Sequence, residues 1–408
     1  MNTAELHSKL EKMALVGLRT GVNLQKGQEI IITAPLEASA FVHHLTKTAY
    51  QQGAKLVTCL YEDPVMIRDR FDFANDDALG YAPAWLSKGI SEALGNGAAR
   101  LFVAGPYPDL LTGIPVDKIL KSHTAAALAS SEEGRFSSDS CINWSVLPFV
   151  TASWAKMVFP ELPAAEALDR LWCAVFEVTR VNCETPVDAW QQHTHSLNSW
   201  RDILQSKKFD ALHFRDGRTD LRVGLVDGHR WVGGTTKAEN GIESVCNIPC
   251  EEIFTCPHRN RVDGIVFSSK PLAIAGTLVD DISVEFRNGL AVSIRAGKGQ
   301  DVIEKLTTGD DGARRLGEIS LVSHSSPISA INILFYSALF DENAASHFAL
   351  GQSYGACLSP SSSSHPEIGA NESSIHIDCM FGNSSMNVDG IAHSGLVEPV
   401  MRDGEFVF

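Results

Sequence analysis

The chain has 408 residues, of which 44% are hydrophobic and 20% are charged, and its formal net charge at pH 7 is −15. This composition is typical of a soluble globular protein with a large buried core, and the length is sufficient for two domains. The acidic surplus repels phosphate backbones and anionic lipids, so we expect no nucleic-acid partner and no membrane surface. No apolar run reaches the roughly 18 residues that predict a membrane-spanning helix.

The N-terminal segment predicts an amphipathic helix rather than a signal peptide. Leu6, Leu10 and Met13 are spaced for one helical face, and Gly17 is the expected stop. The segment lacks the basic start and the apolar block of a secretory leader. The nine cysteines are odd in number and contain no CxxC pair, which argues against a disulfide framework and a cysteine-based zinc site. We therefore expect free thiols in a cytoplasmic protein.

Strand and helix signals alternate in the first part of the chain. Strands are predicted at 28–35, 56–61, 100–106 and 144–150, and helices at 38–55, 84–95, 116–130, 161–181 and 188–209. We interpret the run at 56–61 as a second buried strand. This alternation predicts an α/β domain over residues 1–185 with a mostly parallel sheet. No GxGxxG or P-loop motif follows a strand, so a nucleotide site has no support.

The second part of the chain has a different sequence pattern. Its short alternating runs are separated by Asp-Gly, Asn-Gly and Gly-Gly pairs, which are hairpin signals. We predict an α+β domain over residues 186–408, rich in antiparallel strands, with helices at 300–308 and 337–347. The low-complexity stretch SPSSSSHPE, residues 359–367, predicts a surface loop.

Carboxylates and histidines are concentrated in four apolar stretches of this second domain. They are Glu251 and Glu252, then Glu318, then Asp341, Glu342, His347 and Tyr354, and finally His376 and Asp378. Residues 331–400 contain no lysine or arginine. Each unpaired buried charge costs several kcal/mol, and one or two divalent cations would compensate the carboxylates. Cationic side chains from distant segments could do the same, so this pattern leaves a metal site and an ion-pair network equally open.

Each of these residues also has a purely structural interpretation. A single glutamate such as Glu318 is usually solvated at a strand start or paired with a neighbouring arginine, here at 314–315. Glu342 can stabilise the first turn of a helix. His347 on an apolar helix face is more often a hydrogen-bonded core residue, and Tyr354 a core ring with a satisfied hydroxyl.

The segment ESSIHIDCMFG, residues 372–382, has the period of a strand. Alternate residues share a face, so Ile375 and Ile377 lie on one side and His376 and Asp378 on the other. The polar pair is either a simple His–Asp hydrogen bond or a pair of metal ligands. Carboxylate oxygen and imidazole nitrogen are both ligands that divalent metals accept in proteins.

Four runs carry a resemblance to a known family. NIPCEEIFTCPHRNRVDGIV, DDGARRLGEISLVSHSSPI, LFYSALFDENAASHFALGQSY and GANESSIHIDCMFG resemble, in order and spacing, signature segments of the thermophilic-type metalloaminopeptidases. This is the family of aminopeptidase T, aminopeptidase S and PepS. The likeness extends over nearly the whole chain, and the stretch CLSPSSSSHPEIG departs from the family pattern.

The resemblance implies a cytoplasmic exopeptidase with two divalent ions, and a homodimer whose active sites face an internal cavity. Its matched positions imply the metal ligands Glu252, Glu318, Glu342, His347, His376 and Asp378. The ions could be zinc, cobalt, manganese or magnesium, held roughly 3.5–4 Å apart. Tyr354 is implied as a catalytic group. Glu251 is the expected general base if Glu252 is a ligand, and Glu318 is the alternative base.

We therefore predict a metal-dependent aminopeptidase that hydrolyses the N-terminal peptide bond of small peptides or aminoacyl amides. Three alternatives use the same residues. They are an amidase acting on a small amide-containing molecule, a carboxypeptidase, and a non-catalytic binding protein with a degenerate site.

Overall fold

The structure, a computed structural model, describes residues 1–274, 277–358 and 367–408. The loop predicted at 359–367 therefore lies outside the described residues, except for Glu367. Within the described ranges, no helix combines the length and the apolar character needed to cross a membrane.

Most of the predicted helices lie close to their predicted positions. In chain order they are α1 (Thr3–Val16), α2 (Ser39–Gln51), α3 (Pro64–Phe73), α4 (Asp76–Leu79), α5 (Ala84–Gly95), α6 (Val116–Ala129), α7 (Ser131–Ser138), α8 (Ala152–Val158), α9 (Ala164–Val178), α10 (Pro186–Lys207), α11 (Gln300–Leu306), α12 (Pro327–Ile331) and α13 (Ala338–Asp341). The short helices α3, α4, α7, α8 and α12 were not predicted from the sequence.

The strands, in chain order, are β1 (Glu29–Pro35), β2 (Leu56–Glu62), β3 (Ala99–Ala104), β4 (Trp144–Pro148), β5 (Ala211–Arg215), β6 (Asp220–Leu225), β7 (Val232–Gly233), β8 (Thr236–Lys237), β9 (Glu243–Ser244), β10 (Glu252–Thr255), β11 (Pro257–Phe267), β12 (Leu272–Ile274), β13 (Thr277–Val279), β14 (Ser283–Arg287), β15 (Leu290–Arg295), β16 (Leu316–Val322), β17 (His347–Gly351), β18 (His376–Met380), β19 (Asn387–Ile391), β20 (Val397–Arg402) and β21 (Glu405–Phe406).

The chain divides into two compact units. The first contains Met1–Gln192 and Thr235–Pro249, and the second contains His193–Gly234 and Cys250–Phe408. The domain boundary at residue 185 stays a prediction.

The first unit is built on a parallel four-stranded sheet with the order β2-β1-β3-β4. The predicted α/β character of this part is confirmed. Strand β1 is central, and its Ile30 and Ile32 side chains are completely buried. The prediction that 56–61 is a buried strand is wrong, because β2 lies at the sheet edge and leaves Leu56 46% exposed. Nothing in the local sequence encodes the strand order that makes β2 an edge.

Gly17 does not end the first helix. Helix α1 continues into a π-helical turn over Gly17–Gly21, and Gly17 keeps helical backbone angles. A Cβ atom at this position would lie 2.7 Å from the Leu147 side chain. The glycine is therefore explained by close packing against β4, and the predicted stop was wrong.

The second unit consists mainly of antiparallel strands. A five-stranded sheet has the order β18-β17-β16-β10-β7, and an eight-stranded sheet has the order β15-β14-β11-β6-β5-β19-β20-β21. Phe348 of β17 contacts Phe286 of β14, with ring centroids 6.2 Å apart, so one face of the five-stranded sheet packs on the larger sheet. Phe381, beyond β18, contacts Phe214 of β5 on the same side. The predicted α+β character of this part is confirmed.

The helix predicted at 337–347 is wrong in its second half. Helix α13 ends at Asp341, a 3-10 turn follows over Glu342–Ala344, and Ala345 has extended backbone angles. His347 therefore opens strand β17 and does not lie on a helix. The alanine-rich stretch was interpreted as helical, but the residues that follow it, His347–Gly351, form a fully buried strand. Periodicity does not distinguish a short apolar strand from a helix.

Candidate metal centre

Four neighbouring strands of the five-stranded sheet project donor side chains from one face, which we call the donor face. Cross-strand pairing aligns Glu318 of β16 with Ala349 of β17, and Ala349 with Asp378 of β18. Residues paired across strands share a face, and so do residues two apart along a strand. The donor face carries Glu252, Glu318, His347, His376 and Asp378. The opposite face, with Phe348, is the one packed on the eight-stranded sheet.

A β-bulge at Gly317 directs Glu318 onto the donor face. Leu316 pairs with Leu350, whereas Glu318 pairs with Ala349, so β16 uses one more residue than β17 at this point. Without the extra residue, Leu316 and Glu318 would share a face, because side chains alternate along a regular strand. With it, Leu316 points to the core and Glu318 to the donor face, which is how bulges re-aim side chains near functional sites.

The donors fall into two groups that share one residue. The first donor group is Glu252, Glu318 and His347, and the second donor group is Glu318, His376 and Asp378. Within each group, one ligand atom from each residue lies within 4.8 Å of the other two. Glu318 is the shared member, so its carboxylate is in a position to bridge two cations.

The distances show how the shared carboxylate is oriented. Glu318 Oε1 lies 3.6 Å from His347 Nε2, and Glu318 Oε2 lies 3.3 Å from His376 Nε2. Glu252 Oε2 lies 3.2 Å from His347 Nε2, and Asp378 Oδ1 lies 3.3 Å from His376 Nε2. One oxygen of Glu318 therefore faces each group, and each group has a further carboxylate of its own.

Backbone carbonyls orient both imidazoles. His347 Nδ1 lies 3.1 Å from the carbonyl oxygen of Ala345, and His376 Nδ1 lies 2.8 Å from that of Gln352. When Nδ1 donates its proton to a carbonyl, Nε2 of a neutral imidazole is left with a free lone pair. Among the described residues, His376 Nε2 is buried and has no hydrogen-bond partner. This arrangement is the one that metal-ligating histidines adopt.

The electrostatics of the centre show a shortage of positive charge. Burial alone would lower the pKa of His376, but the neighbouring carboxylates of Asp378 and Glu318 raise it to about 11. Burial likewise opposes protonation of His347, yet Glu252 and Glu318 raise its pKa well above the ordinary value. When no other cation compensates their charge, the clustered carboxylates thus stabilise the protonated form of both imidazoles.

Glu342 lies beside the two donor groups without belonging to either. Burial, followed by the charges of Glu252 and Asp378, raises the pKa of Glu342 well above its ordinary value. Its Oε1 is 3.4 Å from the side-chain nitrogen of Asn343. The carboxylate of Glu342 therefore interacts electrostatically with the donor carboxylates, although it belongs to neither donor group.

Tyr354 lies at the rim of the centre. Its ring packs against His376, with centroids 4.7 Å apart, and against Phe254 at 5.7 Å. The residue is 46% exposed, so the interpretation as a buried core ring is wrong. Desolvation of the hydroxyl, then the carboxylates led by Glu318, raise the pKa of Tyr354. The hydroxyl therefore stays protonated at neutral pH and can donate a hydrogen bond.

Glu251 is buried but lies outside both donor groups. Its Oε2 is 3.6 Å from His193 Nε2, and its backbone nitrogen donates a 2.7 Å hydrogen bond to the side chain of Asn343. Strand β10 starts at the next residue, and Glu252 is the member of the pair that joins Glu318 and His347.

The structural interpretation of Glu318 as a solvated or arginine-paired residue is wrong. Glu318 is only 4% exposed. Arg314 donates from Nε to the carbonyl oxygen of Ala291, and Arg315 donates to that of Arg259. Both neighbouring arginines are thus used by the backbone and do not compensate the carboxylate.

Sequence analysis missed the residues that support the ligands. Ser320 donates a 2.8 Å hydrogen bond to Glu252 Oε2 inside the core. It lies two residues after Glu318 on β16, so strand periodicity could have assigned it to the same face. Asp341, singled out from the sequence, instead accepts hydrogen bonds from the backbone nitrogens of Phe335 and Ser337.

The donor set fits divalent metal ions. Carboxylate oxygens and imidazole nitrogens are the ligands that zinc, cobalt and manganese accept. His376 Nε2 is buried without a hydrogen-bond partner, so its lone pair is the one that such an ion would use. The nine cysteines are all free, and none belongs to either donor group. The described residues that converge here are therefore suited to a metal centre of oxygen and nitrogen ligands.

Comparison with known proteins decides the family. The model of the thermophilic metalloprotease family, M29, matches residues 6–406. The chain belongs to this family. Among thermophilic metalloproteases with curated names, aminopeptidase T from Thermus thermophilus is 45% identical over 400 residues, which cover 98% of each chain. Aminopeptidase AmpS from Bacillus subtilis is 38% identical over 404 residues, again 98% of each chain.

A solved structure of the thermophilic metalloprotease family has the same fold. Wild-type AmpT from Thermus thermophilus superposes with a TM-score of 0.93 at 44% identity, over 98% of this chain and 99% of that chain. The resemblance stated from the four sequence runs is thereby confirmed. The α/β part and the antiparallel part that carries the donor groups are common to both architectures.

Proposed function

We propose that this protein is a dinuclear metalloaminopeptidase that removes N-terminal residues from small peptides or aminoacyl amides. One observation carries the proposal: the two oxygens of the buried Glu318 face two different imidazoles, each with a further carboxylate beside it. Membership of a metalloprotease family, and the aminopeptidase names of relatives that match 98% of the chain, support the reaction class.

The ligands divide between the two cations as the donor groups do. Glu252 and His347 would hold one ion, His376 and Asp378 the other, and Glu318 both; Glu342 is the additional carboxylate. Bound zinc, cobalt, manganese or magnesium would supply an activated water molecule and polarise the scissile carbonyl. A substrate with a free amino terminus presents the lone pair of its amine and the oxygen of its scissile carbonyl, and such a centre could bind both together.

Two residues outside the donor groups have proposed roles in proton transfer and charge stabilisation. Glu251, buried beside Glu252, is the proposed general base that accepts a proton from the attacking water; Glu318 is the alternative. Tyr354 is protonated, partly exposed and packed against His376, so its hydroxyl is suited to donating a hydrogen bond to the tetrahedral oxyanion.

The substrate test uses pairs of peptides that differ only at the amino terminus. We expect metal-loaded protein to release the first residue from free peptides and to leave the N-acetylated forms intact, because acetylation removes the amine that anchors the substrate. Mass spectrometry of the products identifies the bond that is cleaved. Cleavage of the acetylated peptides would favour an amidase or endopeptidase, and release from the other end a carboxypeptidase.

Replacing Tyr354 by phenylalanine is expected to lower kcat by about 10²–10³ while the bound metal is unchanged, because one hydrogen bond to the oxyanion is lost. Steady-state kinetics and elemental analysis on the same preparation measure both quantities. Tyr81→Phe, at a residue that is 66% exposed in the first unit, is the matched control. Loss of metal from Tyr354→Phe would assign the tyrosine a structural role.

We further propose that the protein is a cytoplasmic homodimer. Nine free thiols are consistent with a reducing compartment. The first unit exposes large apolar side chains, among them Phe73 at 84%, Leu128 at 77% and Trp85 at 72%, which a dimer interface could cover. Light scattering of the purified protein measures its mass in solution, and a monomer would refute the dimer.

A further inference from the structure

Ala349 occupies the centre of the donor face. It is completely buried, and it lies directly between Glu318 on one neighbouring strand and Asp378 on the other. These two carboxylates belong to the second donor group, whose third member is His376. The methyl group of Ala349 therefore lies on the sheet directly beneath the second donor group.

The two faces of β17 differ sharply in side-chain volume. The donor face carries His347, Ala349 and Gly351 in succession, whereas the core face carries Phe348 and Leu350. Buried strand positions are usually filled by branched or aromatic side chains, which pack the space above a sheet. After His347, this strand contributes almost no volume on the donor face, although the face is buried.

Ligand side chains flank Ala349 on both sides. Side chains directly opposite each other on antiparallel strands have Cβ atoms about 4.5–5.5 Å apart. The carboxylates of Glu318 and Asp378 thus rise on either side of the alanine methyl, and His376 Nε2 lies 3.3 Å from an oxygen of each.

We propose that Ala349 reserves the volume of the second cation and thereby sets the number of ions that the centre holds. The proposal rests on the dinuclear function proposed above. A larger side chain at this position would extend between Glu318 and Asp378 and separate their oxygens. The first donor group also has Glu252 on β10 and His347 at the start of β17, neither of which pairs with Ala349 across the sheet, so this group retains its ion. Ala349 is accordingly a positioning residue that acts through the second donor group.

The test measures ion stoichiometry, not only activity. Wild-type protein and the variants A349V and A349G are stripped with a chelator, reloaded with zinc and analysed for metal per chain. Calorimetric titration of the stripped proteins with zinc resolves the two binding events. We expect about two ions in wild type and A349G and about one in A349V. The matched control is A211V, a valine introduced at a completely buried strand alanine of the eight-stranded sheet, which should keep both ions.

The outcomes separate this inference from the proposed function. A folded A349V protein that keeps both ions with unchanged affinity overturns the inference, and so does one that loses both. If A349V does not fold, as judged by circular dichroism, A349S decides: a second ion bound about tenfold more weakly supports the inference, and unchanged binding overturns it. Wild-type protein that holds only one ion would instead refute the dinuclear function on which the inference rests.

Discussion

Replacing Glu318 by glutamine is expected to release both metal ions and abolish hydrolysis. Its carboxylate is the only member common to the two donor groups, and each of its oxygens faces a different imidazole. Removing an outer-shell partner of a metal ligand already lowers metal affinity about 10–100-fold. Loss of a shared ligand should lower both affinities by more than about 100-fold, measured by zinc titration of chelator-treated protein.

Two further variants serve as comparisons for Glu318→Gln. Asp378→Asn alters a residue of the second donor group alone, so it should weaken one ion and leave the other bound. Glu372→Gln, at an exposed carboxylate in the loop before β18, should bind zinc like the wild type. If Glu318→Gln kept either ion at wild-type affinity, the shared carboxylate would not be a bridging ligand. Thermal unfolding with and without zinc separates metal loss from misfolding, because only a competent centre raises the unfolding temperature.

Replacing Gly317 by alanine is expected to destabilise the protein and to disrupt the metal centre together. The new Cβ would lie 2.2 Å from the backbone oxygen of Gln352 and 2.4 Å from that of Gly351, and backbone atoms on a neighbouring strand cannot rotate away. Relief of the clash requires β16 to shift or the bulge to disappear, which would turn Glu318 from the donor face to the core. Overpacking of this kind costs about 1–3 kcal/mol of unfolding free energy.

A glycine in open space provides the comparison for Gly317. Gly89 lies within helix α5, and a Cβ there would meet no atom within 4 Å. Gly89→Ala should therefore raise the free energy of unfolding by about 0.5–1 kcal/mol, because alanine restricts the unfolded chain and favours a helix. Denaturant unfolding and metal content are measured on both variants. A Gly317→Ala protein with full metal content and unchanged stability would contradict the role of the bulge.

The sequence was sufficient where a pattern stays within one strand. In SIHIDC the alternation correctly separates Ile377, which is buried against the core, from His376 and Asp378 on the donor face. The parallel sheet of the first unit and the antiparallel hairpins of the second were predicted for the same reason, since strand–helix alternation and turn pairs are local signals.

The sequence was insufficient where the structure depends on pairing. The orientation of Glu318 is set by the bulge at Gly317, where two strands use unequal numbers of residues, and no single strand reveals its partner's register. Nearby arginines at 314–315 made an ion pair one of the usual interpretations of Glu318, and only the structure shows that they bind backbone carbonyls. Residues 337–347 were assigned to a helix because short elements give too few turns to distinguish the two periods.

All five donors of the two groups stand on strands of one sheet, and the outermost of those strands, β18, comes from near the end of the chain. During synthesis the second donor group therefore cannot be completed until nearly the whole polypeptide has been made, whereas the first is complete once His347 has been added. A chain that ends just before His376 contains the first donor group but lacks two of the three members of the second.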